Sequence, residues 1–210
     1  MTGKIKLVHS GGNSVSVAVP TNAPSASEVE FKLPQADGSS GQALVTDASG
    51  NLSFAGTGKI LQVVQTVKLD TFSTTSTTNV DVTGLSVAIT PASSSNKVLV
   101  TVSIGLSGNQ STNYTYAILK RGNTQIGEAN EASNRIRPTL VAINENEGET
   151  AHRTFTFLDS PNTTSATTYK IQIRCSSAGN AHVNRSHRDL DQTGIDARTS
   201  STITVMEVAA

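Results

Sequence analysis

A strict alternation of apolar and polar residues is the feature that most constrains this chain. From Val98 to Leu106 every second residue is Val, Ile or Leu, and Thr101 and Ser103 lie between them. Successive side chains of a β-strand point to opposite faces of a sheet, so this spacing predicts a strand with one buried face and one solvated face. Such strands are typical of antiparallel sheets.

The residues between the apolar segments support the same fold class. They are rich in Thr, which suits a pleated strand, and in Ser, Asn and Gly, which suit turns. Hydrophobic residues make up only 36% of the 210 residues, but they are concentrated in short segments, so a core remains possible. No segment has the spacing of a helix, and we expect an all-β protein.

Residues 1–58 form a first region with few large apolar side chains. Short alternating runs occur around Val15–Val19 and Val29–Leu33, and the cluster Asp47–Asn51 reads as a hairpin loop. A unit of this size buries too small a fraction of its surface to be stable alone. We therefore expect a small extended β region that shares a core with copies of itself, as an oligomeric stalk or an anchoring arm.

Residues 59–210 are better patterned and predict roughly eight to ten strands, the size of a two-sheet antiparallel β-sandwich. A jelly roll is favoured over an immunoglobulin-like sandwich, although alternation does not determine strand order. Besides the strand at 98–106, the expected strands are Leu61–Leu69, Tyr114–Leu119, Thr124–Ile126, Leu140–Ile143, Phe155–Leu158, Tyr169–Cys175 and Ile203–Val208. The turn Lys120–Asn123 is expected to join two of them as a hairpin.

Charge and cysteine content exclude several classes of function. A net charge of +0 with 15% charged residues gives no field that would attract nucleic acid or an anionic membrane. Cys175 is the single cysteine, which excludes an internal disulfide and a cysteine-based zinc cluster, and we expect it to be buried. No apolar run is long enough to span a membrane, and the first residues lack the apolar core of a signal peptide. We expect the product to stay in the cytoplasm until it is assembled or released.

The stretch 181–191 is the main candidate for a functional site. It contains two histidines and two aspartates: His182, His187, Asp189 and Asp191. These residue types could hold a metal ion, but histidines five apart on an extended strand point to opposite faces, and Arg185 and Arg188 would repel a cation. The favoured interpretation is a polar surface loop without a metal.

Other chemistry is weakly represented. There is no Gly-x-Ser-x-Gly elbow, no Ser-His-Asp arrangement and no phosphate-binding loop, so we expect no enzyme and no cofactor. The acidic loop 145–149 lacks the ligand spacing of a calcium loop and is expected to be solvated. Tyr114 and Tyr116 share a strand face, where a core or inter-subunit contact is favoured over a platform for sugars.

Two N-terminal stretches resemble the opening of tail-fibre and related virion proteins of tailed phages, especially marine and cyanobacterial phages. They are residues 4–15, KIKLVHSGGNSV, and residues 31–54, with the pattern Leu-Pro-x-Ala-Asp-Gly, Gly-Gln-x-Leu and Asp-x-x-Gly-Asn-Leu-x-Phe. Near the C-terminus, Val183–Ser186 and Ser201–Val208 are similar to the end of head domains in such fibres.

The resemblance implies a homotrimeric fibre in the virion. Residues 1–58 would attach to other virion proteins, and residues 59–210 would form an outward β-sandwich knob. The loops of that knob would bind host surface polysaccharide or an outer-membrane protein, without contact to nucleic acid and without membrane insertion. Because the C-terminal stretch is polar and rich in loops, the candidate receptor contacts are Arg185, His187, Arg188 and Asp189.

Three functions remain open from the sequence: a fibre for host recognition, a decoration or cement protein on the capsid, and a depolymerase. The chain is short for a long tail fibre, so a short tail fibre, a head fibre and a capsid decoration protein all fit. A depolymerase would need carboxylates clustered in a groove. The available ones, Glu145, Glu147 and Glu149, lie on a loop that is a poor scaffold for catalytic acids, so this function is the least favoured.

Overall fold

The computed structural model of the chain describes residues 4–8, 10–12, 14–18, 22, 28–39, 41–56, 58–109, 113–143, 146–192 and 194–210. In these residues the protein is all-β, and its strands pair antiparallel. The described ranges contain no helix, and so none that could cross a membrane. The chain divides into two compact units, residues 1–57 and residues 58–210.

The N-terminal unit contains two hairpins in its described part. One pairs β1 (Lys4–Val8) with β2 (Ser14–Ala18), and the other pairs β3 (Gln42–Thr46) with β4 (Leu52–Gly56). The alternating run at Val29–Leu33 does not form a strand, since this segment makes only a single bridge, from Lys32. Pro34 follows two residues later and has no N–H to continue a ladder.

The β3–β4 turn confirms the hairpin loop expected at Asp47–Asn51. One carboxylate oxygen of Asp47 accepts hydrogen bonds from the backbone N–H groups of Ser49 (2.8 Å) and Asn51 (3.2 Å). The other accepts one from the Asn51 side chain at 2.6 Å. Gly50 has a φ of 87°, and a Cβ there would collide with the carbonyl oxygen of Glu30. The Asp-x-x-Gly-Asn sequence is therefore required by the shape of this turn.

The described part of the C-terminal unit has eleven strands, slightly more than the eight to ten expected. They are β5 (Ile60–Lys68), β6 (Phe72–Thr74), β7 (Val80–Ile89), β8 (Lys97–Gly108), β9 (Thr115–Arg121), β10 (Thr124–Gln125), β11 (Leu140–Ala142), β12 (Ala151–Asp159), β13 (Thr167–Cys175), β14 (Ala181–Val183) and β15 (Ser201–Val208). The β9–β10 connection confirms the hairpin predicted at Lys120–Asn123.

The strand order is that of a jelly roll. One sheet has the order β5-β15-β8-β12, and β14 and β6 extend it beyond the end of β15. The second sheet has the order β7-β13-β9, followed by β10 and β11 along the far side of β9. Eight main strands can be numbered along the chain as β5, β7, β8, β9, β10 together with β11, β12, β13 and β15. In these numbers the two sheets read 1-8-3-6 and 2-7-4-5. This is the double Greek-key arrangement of a jelly roll, which the sequence pattern favoured.

The core lies between the two sheets. The alternate residues of β8 from Val98 to Leu106 are all fully buried, as predicted, and Ile203 and Val205 of β15 lie beside them. The facing sheet contributes the buried residues of β13 from Tyr169 to Cys175. The expectation that Cys175 is buried is confirmed.

Strand β7 was missed by the sequence analysis because a bulge shifts its alternation. Val82 and Leu85 are both buried although they are three residues apart, and the pairing with β13 shifts register at this point. Gly84 lies inside the bulge with a φ of 80°. The extra residues on β7, where residues 82–85 lie opposite Ile171 alone, move its apolar positions out of phase, so no period-two run is visible over its whole length.

Candidate functional site

All four receptor-contact candidates lie in the long connection between β14 and β15. This connection begins at Asn184, which is fully buried and has a φ of 63°. Its side-chain amide donates hydrogen bonds to the carbonyl oxygens of Lys68 (2.9 Å) and Asp70 (3.0 Å). Its side-chain oxygen accepts a hydrogen bond from the Ser201 hydroxyl at 2.6 Å. Asn184 therefore fixes the point where the chain turns away from β14. We call residues 185–192 and 194–200 the site loop.

Asp196 organises one half of the site loop. The guanidinium of Arg188 binds both of its carboxylate oxygens, at 3.1 and 3.2 Å. The Ser186 hydroxyl and the backbone N–H of Leu190 each donate another hydrogen bond, both at 2.9 Å. The hydrogen bond from Arg188 is the largest of the effects that hold the pKa of Asp196 below its ordinary value. Asp196 is thus an ionised anchor for the loop.

Asp189 organises the other half. Its carboxylate lies 2.9 Å from the Arg198 guanidinium and 3.4 Å from that of Arg185. Arg185 also donates hydrogen bonds to the backbone oxygens of Ser186 and His187, both at 2.9 Å. The Arg185 and Asp189 side chains are only 23% and 20% exposed, whereas Arg198 is 60% exposed. The candidate charges are therefore largely paired inside the loop, and Arg198 is more exposed than Arg185, Arg188 or Asp189.

The structure brings His182 and His187 together, contrary to the expectation that they point to opposite faces. Nε2 of His182 lies 3.0 Å from Nδ1 of His187, and Nδ1 of His182 lies 2.7 Å from the Ser73 hydroxyl. The expectation assumed one continuous strand, but β14 ends at Val183 and the chain turns at Asn184.

Burial is the main reason that the pKa of His182 falls to about 4, and the nearby positive charge of Arg185 adds to it. His182 is therefore neutral near pH 7. Its ring accepts or donates a hydrogen bond without charge, which fits a position 5% exposed to solvent.

The interpretation of 181–191 as a polar surface loop is wrong for its first half. Ala181, His182, Val183, Asn184 and Ser186 are buried, because β14 belongs to a sheet and the turn after it is packed against that sheet. Within the described ranges, no group of three or more His, Cys, Asp or Glu could hold a metal ion.

A shallow cleft of about 330 Å³ opens beside the site loop. It is lined by residues 189–192 and 196–198. The exposed guanidinium of Arg198 and the carboxylate of Asp191 contribute a donor and an acceptor of hydrogen bonds at this cleft. Such groups suit the recognition of hydroxyl-rich or polar ligands.

The other sequence candidates lie elsewhere or play structural parts. Glu145 falls outside the described residues, whereas the backbone oxygen of Glu147 accepts a hydrogen bond from the Arg188 N–H at 2.9 Å. Tyr114 and Tyr116 do share a face, with ring centroids 6.1 Å apart and planes within 4°. Tyr114 is 42% exposed, so the expectation of a core position is wrong for this residue. The inter-subunit alternative for the tyrosine pair stays a prediction.

Asp196, Asn184 and Ser201 are the site residues that sequence reasoning missed. Asn184 belongs to the Val183–Ser186 stretch, but nothing in that pattern showed that its side chain would bond to Lys68, Asp70 and Ser201. Asp196 lies outside the 181–191 stretch, and the local excess of arginine was the only signal for a further carboxylate partner.

Comparisons with known proteins give structural likeness alone. No protein-family model and no curated protein matches the chain. Among solved structures, it is similar to particles derived from infectious bursal virus (15% identity, 76% of this chain, TM-score 0.38). It is also similar to the VP2 subviral particle (14%, 76%, 0.38) and the Gx strain structure (13%, 93%, 0.35) of infectious bursal disease virus. The chain spans 38%, 40% and 52% of those three chains.

Proposed function

We propose that the chain is a virion structural protein, a short trimeric tail fibre that takes part in host-surface recognition and attachment. Residues 1–58 attach it to other virion proteins, and residues 59–210 form the knob. The chain acts in the assembled virion as a binding and structural protein rather than as an enzyme.

The observation that carries this proposal is the exposure of apolar side chains in the N-terminal unit. None of the residues of this unit whose burial the structure describes is buried, although several carry large apolar side chains. Phe31, Leu33 and Leu44 are 63%, 78% and 50% exposed. Apolar side chains exposed together mark an interaction surface, and a unit this small needs a partner to cover them. Copies of the same chain and a virion attachment partner are the proposed cover.

The residues that resemble phage fibre proteins determine local structure in this unit. Asp47, Gly50 and Asn51 build the β3–β4 turn, as described above. A Cβ on Gly38 would collide with the Phe54 ring, so the Gly of the Leu-Pro-x-Ala-Asp-Gly segment is needed where that ring packs. The quoted pattern therefore describes one local fold, which supports its use as evidence of a shared attachment module.

The C-terminal unit suits the part of a receptor-binding knob. The Asp189 and Asp196 networks hold the site loop in one conformation, so a ligand can bind without first ordering the loop. In this proposal Arg185, His187, Arg188 and Asp189 shape the loop, and the cleft with Arg198 at its wall contacts polysaccharide or protein on the host surface. Its polar lining fits a hydroxyl-rich ligand.

Labelling of assembled virions with gold-conjugated antibody against this chain tests the location. We expect gold at the tail. Gold on the head would overturn the tail-fibre proposal in favour of a head fibre or a capsid decoration protein.

Competition for adsorption tests the recognition step. The purified chain should bind host cells and reduce phage adsorption, and Arg198→Ala should weaken both effects. Lys120→Ala, a charge removal on the other sheet, is the matched control and should leave both unchanged. A wild-type chain that neither binds cells nor competes would contradict the recognition role.

A further inference from the structure

The outer face of the β5-β15-β8-β12 sheet carries no charged residue over three full cross-strand rows. In register, the rows are Val63, Met206, Leu99 and Leu158; then Gln65, Thr204, Thr101 and Thr156; then Val67, Thr202, Ser103 and Thr154. We call these twelve residues the uncharged face. By the same alternation, titratable side chains appear only at its ends, with Lys97 and His152.

The outer face of the second sheet is different. Lys170 and Asp81 form an ion pair there at 2.8 Å, and Lys120 pairs with Lys170 across β9 and β13. Arg174 lies four residues beyond Lys170 on β13, on the same face. Charged side chains of both signs are what a solvated sheet face requires. The uncharged face instead exposes Val63 by 56% and Leu158 by 47%.

Absence of charge on this face favours a second copy of the chain as its partner. Two identical faces dominated by one sign of charge repel each other, whereas an uncharged face of Val, Leu, Met and Thr can meet its own copy without unpaired charge. It also offers no complement to a strongly charged ligand.

The width of the sheet fits three copies around an axis. Four strands about 4.8 Å apart make a face roughly 19 Å wide, and three such faces enclose a triangle whose sides lie about 5.5 Å from its axis. Packed sheets lie about 10 Å apart, so each backbone normally stands about 5 Å from the midplane. Side chains of the uncharged face can thus fill the triangle.

The area of the uncharged face, which two neighbouring copies would share, approaches that of one standard interface. The nine residues of β5 extend about 30 Å, which gives each face about 570 Å² of flat area before the relief of the side chains is added. A standard interface buries about 800 Å² of accessible surface per partner.

We propose that three copies of the C-terminal unit pack their uncharged faces around a threefold axis that runs along the strands. β5 of each copy then meets β12 of the next, and Val63 contacts Leu158 of the neighbouring chain at each corner. This inference rests on the homotrimer of the proposed function and assigns its contact surface. The contact is heterologous, as a cyclic trimer requires.

Charge substitution at the corner tests the arrangement. Val63→Lys with Leu158→Lys places like charges together at every corner, and we expect light scattering to show dissociation toward the 21.8 kDa of one chain at a higher protein concentration than for the wild type. Val63→Lys with Leu158→Glu places opposite charges there and should retain the trimer. Within one chain these positions are three strands, about 14 Å, apart, so the sign of the charge acts between chains.

Val141→Lys is the matched control for the substituted strand. Val141 is 45% exposed on edge strand β11 of the other sheet, and this variant should remain trimeric. All the variants change half-exposed side chains, and circular dichroism should show the same β-sheet spectrum for each.

A thiol-labelling measurement does not depend on dissociation. Val63→Cys should react slowly in the wild-type background and Val141→Cys rapidly, with the buried Cys175 unreactive in both.

Two failures can be told apart. If the two double variants behave alike, whether both trimeric or both monomeric, the corner arrangement is wrong while the homotrimer of the proposed function stands. If the wild-type chain has the mass of one chain, the homotrimer fails as well.

Discussion

In the C-terminal unit the alternate residues of β8 are wholly buried, whereas in the N-terminal unit Leu52 and Phe54 of β4 are only partly buried although they follow the same alternation. The difference lies in what faces each strand. β8 faces a second sheet across the core, but the described part of the N-terminal unit has no second layer over the β3–β4 hairpin. Alternation alone therefore does not produce a core. It produces one only when a second apolar face is available, from the same chain or from another.

The largest expected effect compares one substitution in the two units. Leu106→Ala removes a fully buried side chain and should lower the free energy of unfolding of the C-terminal unit by about 2–5 kcal/mol. Leu44→Ala should lower the free energy of unfolding of the N-terminal unit by less than about 1 kcal/mol within a single chain, because Leu44 is half-exposed there, and a larger loss would come from contacts between chains. Urea unfolding followed by circular dichroism measures both. Equal losses would contradict the difference in side-chain burial between the two units.

Acid should act on the C-terminal unit through His182. The pKa of His182 is about 4 in the folded chain and 6.5 in the unfolded chain, because burial and then Arg185 disfavour the charged form in the folded chain. A depressed folded pKa gives stability that is present above pH 6.5 and is lost as the pH falls toward 4, by about 3 kcal/mol. His182→Gln should flatten the profile of unfolding free energy against pH in this window. An unchanged profile would contradict the assignment.

A smaller effect is expected for Tyr169, which donates a hydrogen bond to the Asp159 carboxylate at 2.7 Å within the core. Tyr169→Phe should cost about 1.5–3 kcal/mol in unfolding free energy, less if Arg121, 2.9 Å from the same carboxylate, satisfies it alone. Burial, followed by the hydrogen bond to Asp159, raises the pKa of Tyr169 above 10, so this stability is present below pH 10 and is lost above it. Calorimetry at neutral and alkaline pH measures both changes.

The smallest effect on the free energy of unfolding is expected for exposed ion pairs. It should be similar in the two units. Arg198→Ala removes a pair with Asp189 whose arginine is 60% exposed, and Lys32→Ala removes a pair with Glu30 at 3.9 Å. Each should change the free energy of unfolding by less than about 1 kcal/mol. A larger loss for Arg198 would mean that the site loop contributes to the stability of the whole sandwich.

The fold was predictable where a strand keeps one phase of alternation along its length. β8, β13 and the β9–β10 hairpin follow this rule, and the all-β class follows from them. β7 was missed because the bulge at Gly84 changes the phase, and Val29–Leu33 was overpredicted because alternation says nothing about whether a pairing partner exists. The jelly roll was favoured from size, but its strand order depends on contacts between distant segments.

The site was predictable in place but not in arrangement. Polar residues at 185–189 correctly pointed to one loop, whereas the contact between His182 and His187 depends on the turn at Asn184. That turn is held by Lys68 and Asp70, more than a hundred residues earlier. The role of Asp196 depends likewise on how the site loop folds back. Such pairings come from the tertiary structure and leave no period in the sequence.

The association of chains is the central claim, since both the uncovered N-terminal unit and the uncharged face require it. The most direct test is the mass of the intact wild-type chain in solution, measured by light scattering at micromolar concentration. We expect about three times the 21.8 kDa of one chain. A mass of one chain over the whole concentration range would contradict the claim.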